Sequence, residues 1–141
     1  MSEARQLDIF KSSRQKGVKP KPALERATHI AIADLMHWGL SRDWWFSHIP
    51  AGEKRSKNTA DLLKRMGTKP GMADFMLLGP GMTCFLELKR KPNKLTEAQK
   101  LFGVRALGAG DHYAVAYSYA EAEVILRGWG AIRTSIQGLA G

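Results

Sequence analysis

The sequence predicts an α/β fold: a mixed β-sheet flanked by helices. Three observations predict it. Segments with helical apolar spacing alternate with short runs rich in β-branched and aromatic residues. Two such runs near the middle are joined by Gly79-Pro80-Gly81, a hairpin signature. The resulting order is helix, strand, helix, strand, strand, helix, strand, helix, which suits an α/β sandwich rather than a bundle or a barrel. At 141 residues the chain is one domain with a single core.

Residues 1–22 are polar and basic, with six Lys/Arg against two acids, and end in Lys19-Pro20-Lys21-Pro22. They read either as a flexible arm that grasps a polyanion or as a solvated tail. Residues 23–130 form the domain. The first helix is expected over 23–38, where Leu24, Ala27, Ala31, Leu35 and Trp38 recur at helical spacing before Gly39. Residues 44–49 read as an aromatic strand closed by Pro50, and 51–58 as a basic loop. A short helix over 59–66 should turn Leu62, Leu63 and Met66 inward. It ends at Gly67, and Pro70-Gly71 makes a turn. Strands follow over 73–78 and 83–89. A helix then runs from Thr96 to residue 107, stopped by Gly108 and Gly110. Residues 113–117 read as a strand. Residues 120–129 read as a helix with Ala122, Ile125, Leu126 and Trp129 on one side, and 131–141 is a short tail.

Charge narrows the function. Twenty-two Lys and Arg face thirteen Asp and Glu, a formal net charge of +9. Such a surface attracts polyanions, nucleic acid foremost and anionic membrane second. No apolar run approaches the ~18 residues of a membrane span, and the N-terminus lacks the apolar core of a signal peptide. A basic, soluble protein of the cytoplasm is expected. The single cysteine, Cys84, allows neither an internal disulfide nor a cysteine-based zinc cluster.

The hairpin holds the chemistry. Alternation puts Cys84, Leu86 and Leu88 on one face of its second strand and Phe85, Glu87 and Lys89 on the other. Asp74 opens the first strand, so hairpin geometry brings it beside Glu87 and Lys89. A Glu-x-Lys pair alone is more often a solvated surface pair. Here a matching acid opens the neighbouring strand, and the basic run Lys89-Arg90-Lys91 with Lys94 follows at once. Two carboxylates suit Mg2+ or Mn2+, which take hard oxygen ligands and keep several waters. The Leu88 carbonyl lies between the two side chains as a further ligand. Lys89 is placed to orient or deprotonate water and to stabilise charge on a phosphorane-like transition state. Lys54, Arg55, Lys57, Lys64, Arg65 and Lys69 flank one strand, and Arg90, Lys91 and Lys94 the other. Together they suit a DNA backbone laid across the acids. No pair among His29, His37, His48 and His112 has metal-ligand spacing, although His48 can approach the site. Trp44, Trp45 and Phe46 read as core or interface residues before base-stacking ones.

Gly71-Met72-Ala73-Asp74, the hydrophobic strand after it, and Phe85-Leu86-Glu87-Leu88-Lys89-Arg90 resemble the PD-(D/E)XK nuclease superfamily. More narrowly the chain is similar to the virus-type replication–repair nuclease (VRR-NUC) domain. Leu63-Lys64-Arg65-Met66-Gly67, Lys94-Leu95-Thr96-Glu97-Ala98-Gln99 and Tyr113-Ala114-Val115-Ala116 support the narrower resemblance. It spans roughly residues 24–129. It departs from the superfamily pattern at Ala73, where a proline is usual.

The resemblance implies a restriction-endonuclease-like sheet and a Mg2+- or Mn2+-dependent DNA endonuclease, with Asp74 and Glu87 as ligands and Lys89 as catalytic lysine. It also implies branched or structured DNA as substrate, a role in replication, repair or recombination as for junction resolvases, a homodimer, and a phage-like origin. Glu25 then becomes a third acidic ligand; otherwise it is a first-turn glutamate favoured by the helix dipole. Gln99 becomes an active-site residue that holds water or phosphate. It is equally the last position of a capping box begun by Thr96, and one rotamer is expected to fill only one of these roles. The competing reading is a DNA-binding module that keeps the fold without cutting, and RNA is compatible with the charge. The acid, acid, lysine set favours the enzyme, because a pure binder gains nothing from acids inside a basic groove.

Overall fold

The computed structural model describes residues 22–50 and 55–133. The N-terminal arm, Lys54 and the tail from residue 134 lie outside the described residues. The elements in order are α1 (Pro22–Gly39), β1 (Trp45–His48), α2 (Lys57–Arg65), β2 (Phe75–Gly79), β3 (Met82–Leu88), α3 (Glu97–Gly108), β4 (His112–Ala116) and α4 (Tyr119–Gly128). The strands form one sheet in the order β1-β2-β3-β4. β1 pairs antiparallel with β2 and β2 with β3, whereas β4 runs parallel to β3. The fold is therefore α/β with a mixed, open sheet. A hairpin can join β2 to β3, but a parallel neighbour needs a crossover, which α3 supplies.

Strand alternation sorts the side chains. Phe75, Leu77, Cys84, Leu86 and Ala116 meet Ile32 and Met36 of α1 and Ala122 and Leu126 of α4 in one buried core. Burying each large side chain there contributes roughly 1.5–3 kcal/mol. On the opposite face Phe102 of α3 sits edge-on to Phe85 (5.0 Å) and close to Tyr113 (5.9 Å). Ala131 and Ile132, beyond the expected end of the domain, are buried in the main core, and Ile132 bridges to Leu40. Among the described residues no helix is long and apolar enough to cross a membrane.

Two helix faces differ from expectation. The apolar stripe read for α1 is not the buried one: Leu24, Ala27 and Ala31 are exposed, and Trp38 is 89% exposed. The face turned to the protein instead runs through Glu25, Thr28, His29, Ile32 and Met36, with Leu35 half-buried beside it. α2 does not turn Leu62 and Met66 inward either. Both are exposed, Leu63 is half-buried, and the helix has no buried residue. Local bonds define it instead. Ser56 Oγ accepts from Thr59 N–H at 3.1 Å, and Lys57 pairs with Asp61 at 3.0 Å one turn on. Trp44 packs over Gly79, where an added Cβ would lie 2.4 Å from its ring, so it is a packing residue; Trp45 is half exposed.

Candidate active site

The antiparallel register that pairs Phe75 with Leu86 sets Asp74 beside Glu87 and Leu88, at the sheet edge where β2 begins and β3 ends. The Leu88 N–H donates to Asp74 Oδ2 at 2.8 Å. The Asp74 carbonyl accepts from Ile49 N–H at 2.7 Å and from His48 Nδ1 at 2.9 Å. Asp74 is thus held from both neighbouring strands. A cleft of about 230 Å³ opens here, lined by Glu25, Thr28, His29, Asp74, Leu88 and Lys89.

Glu87 lies next to this cleft and is 3% exposed, the one buried charged residue among those described. Burial first, and then the neighbouring Asp74 charge, push its carboxyl up to about 8, against the pull of Lys89 and the Asp74 N–H. Burial also raises Asp74, opposed by the Leu88 N–H bond and by His29, His48 and Lys89. Two acids each made more basic by desolvation, one further raised by the other's charge, form a site that gains from a positive ion.

Gln99 fills the capping role and reaches Glu87 with the same rotamer. Its Oε1 accepts from Thr96 N–H at 2.9 Å while Thr96 Oγ1 accepts from Gln99 N–H at 3.1 Å, a complete capping box. Its Nε2 donates to Glu87 Oε2 at 3.0 Å. A primary amide carries its acceptor and its donors on opposite sides of one carbon. One rotamer therefore caps α3 and holds the Glu87 carboxylate. Gly71 lets α3 come this close. Its φ is +91°, and an added Cβ would lie 2.3 Å from the Ala98 carbonyl oxygen, one residue before Gln99. Gly71→Ala is expected to lower Tm by roughly 5–15 °C, from left-handed strain and backbone overlap. It should also weaken any activity beyond the stability loss, by shifting Gln99. Thermal melts at unchanged Tm would refute this packing.

The expected site residues are placed unequally. Asp74, Leu88, Lys89 and Glu25 share the cleft, with Glu87 beside it and Gln99 behind Glu87. Glu25 faces the cleft, but among the described residues no three His, Cys, Asp or Glu side chains are grouped tightly enough to hold an ion by themselves. The residues still fit a Mg2+-type ion, whose protein ligands are few and whose shell is largely water. Arg55, Lys64 and Lys69 rim a second groove of about 360 Å³, floored by Ala60, Leu63 and Pro70. Lys57 and Arg65 are exposed on α2 beside it, Lys57 in its ion pair with Asp61. Lys91 and Lys94 are exposed, and Lys91 Nζ stands 6.0 Å from the Tyr117 ring centroid. Arg90 is half-buried, with Nη1 enclosed and unpartnered among the described residues.

Sequence reasoning missed His29 as a site residue. It packs against the rings of His48 (4.6 Å) and Phe75 (4.5 Å) and lowers the Asp74 carboxyl. The signal was its spacing, since His29 follows Glu25 by one helical turn and shares its face. No protein-family profile, curated protein or solved structure matches this chain.

Proposed function

We propose that the protein is a metal-dependent DNA endonuclease that hydrolyses phosphodiester bonds, in a restriction-endonuclease-like arrangement of the VRR-NUC kind. The observation that carries the reading is the junction of Asp74, Glu87 and Lys89 at one strand edge. There, two carboxylates raised by burial lie against a lysine that lines the same cleft. Asp74 and Glu87, with the main chain at Leu88, would hold Mg2+ or Mn2+, and Glu25 is positioned to face it. When bound, such an ion polarises the scissile phosphate and lowers the pKa of a water.

The chain's own groups do the rest. The Leu88 N–H fixes one Asp74 oxygen and leaves the other free to turn to the cleft. Gln99 holds Glu87 in place. Lys89 orients the attacking water and stabilises charge that develops on the phosphate oxygens. Lys64, Arg65 and Lys69, which have no ion-pair partner among the described residues, would hold the DNA backbone together with Arg55, Lys57, Lys91 and Lys94. The substrate in this reading is branched or structured DNA and the acting form a homodimer. The exposed, register-paired Trp45 and Leu78 offer such a dimer apolar area.

The test is incubation of the protein with branched, linear duplex and single-stranded DNA in Mg2+, in Mn2+ and in EDTA. Cleavage is expected with either metal and none in EDTA. Binding measured in EDTA should weaken steeply with salt. Tight binding without cleavage of any substrate would replace the enzyme with a binding module of the same fold.

A further inference from the structure

We propose that the Tyr113 hydroxyl is a positioning group of this site. It is unpaired among the described residues of the metal-free fold and donates to Glu87 once that carboxylate turns to a cation, so fixing the group that would hold the ion. The inference rests on the nuclease reading above and adds a residue to it.

The sheet brings the two side chains together. Tyr113 is the register partner of Phe85, and Glu87 the partner of Val115, so Tyr113 and Glu87 sit on neighbouring strands one step apart. Both rise on the face covered by α3. Gln99 and Gly103 are one turn apart on the helix surface that meets them. Gln99 reaches Glu87 at 3.0 Å. Gly103 has no side chain where the Tyr113 ring passes, and an added Cβ would lie 2.8 Å from Tyr113 Cε2. One helix face therefore roofs both groups.

The hydroxyl at the end of this ring is buried and has no hydrogen-bond partner among the described residues. Buried orphan hydroxyls are few in folded proteins, and a phenylalanine would pack here with nothing left unpaired. Glu87 and Asp74, after burial, are the main groups that push the phenol up to about 12, which places it in their field. Partners that hydrogen-bond a metal-holding carboxylate typically change ion affinity 10- to 100-fold when removed.

Tyr113→Phe removes the hydroxyl alone. In a Mn2+ titration of the full chain at pH 8, with free Mn2+ read by electron paramagnetic resonance, affinity is expected to drop about tenfold. The kcat for DNA cleavage should fall by a similar factor with KM unchanged, and the metal-free Tm should not fall. Phe102→Leu, which alters packing on the same ring without touching a polar atom, should lower Tm and leave Mn2+ affinity as it was. Equal Mn2+ affinity and kcat in Tyr113→Phe and wild type overturns the proposal, as does an equal loss of affinity in Phe102→Leu. If wild type binds Mn2+ and cuts while Tyr113→Phe is unchanged, only Tyr113 loses its role. A wild-type chain that binds no Mn2+ overturns this role and the nuclease reading together.

Discussion

Asp74→Asn and Lys89→Ala are each expected to reduce metal-dependent cleavage by roughly 10²–10⁴-fold, while DNA binding in EDTA persists. The geometry makes these clean changes. Asparagine keeps an oxygen to accept the Leu88 N–H, so the turn into β2 stays anchored, but the charge that would hold the cation is gone. Lys89 is half-buried in the cleft wall, beside two carboxylates it stabilises in their charged form. Its loss would remove the lysine that lines the cleft, where the proposed phosphate would lie, and lift both acids further. Gel assays on a branched substrate with matched protein concentrations decide the matter. Either variant cutting at the wild-type rate would remove that residue from the mechanism.

Glu87→Gln is expected to act on stability in the opposite sense. Folding moves the Glu87 carboxyl from the usual 4.5 to about 8. Between those values the folded chain binds more protons than the unfolded one, so the free energy of unfolding falls as pH rises. The stability is fully present below about 4.5, and above about 8 the whole cost has been incurred. For a group this buried the cost is roughly 3–5 kcal/mol, shared with the coupled Asp74. Glutamine cannot ionise. Without metal, the variant should therefore be more stable than wild type at pH 8 and close to it at pH 5. Mn2+ should raise the wild-type Tm more at pH 8 than at pH 5.5 and have little effect on the variant. Parallel Tm–pH curves for the two proteins would contradict the placement of Glu87. A buried residue that weakens the metal-free fold fits a site built for function rather than for stability.

The strands were legible because a period of two leaves little choice. Once 83–89 is a strand, Cys84 and Leu86 must share a face opposite Glu87, and the core places them so. The hairpin likewise dictates that Asp74 meets the end of β3, since an antiparallel register pairs the start of one strand with the end of the other. Helix faces were less legible. α1 carries apolar residues around much of its circumference, so periodicity alone does not select its buried stripe. The stripe the sheet selects starts polar, at Glu25, Thr28 and His29, and turns apolar at Ile32 and Met36. Its first turns border the cleft rather than the core. A search for apolar repeats passes over such a face.

What the sequence by itself determined, then, is the α/β class, the mixed character of the sheet, and the meeting of Asp74, Glu87 and Lys89. All of these follow from local periods and one hairpin. Tertiary structure alone decided that His29 borders Asp74, that the Tyr113 hydroxyl is buried on the face it shares with Glu87, and that α2 has no fully buried residue. It also decided that one Gln99 amide caps a helix and holds a carboxylate at once. The physical reason is distance along the chain: these contacts join residues that no repeat or turn connects. They exist only after α1 and α3 have settled on opposite faces of the sheet, with the close approach at Gly71 bringing the start of α3 up to Glu87.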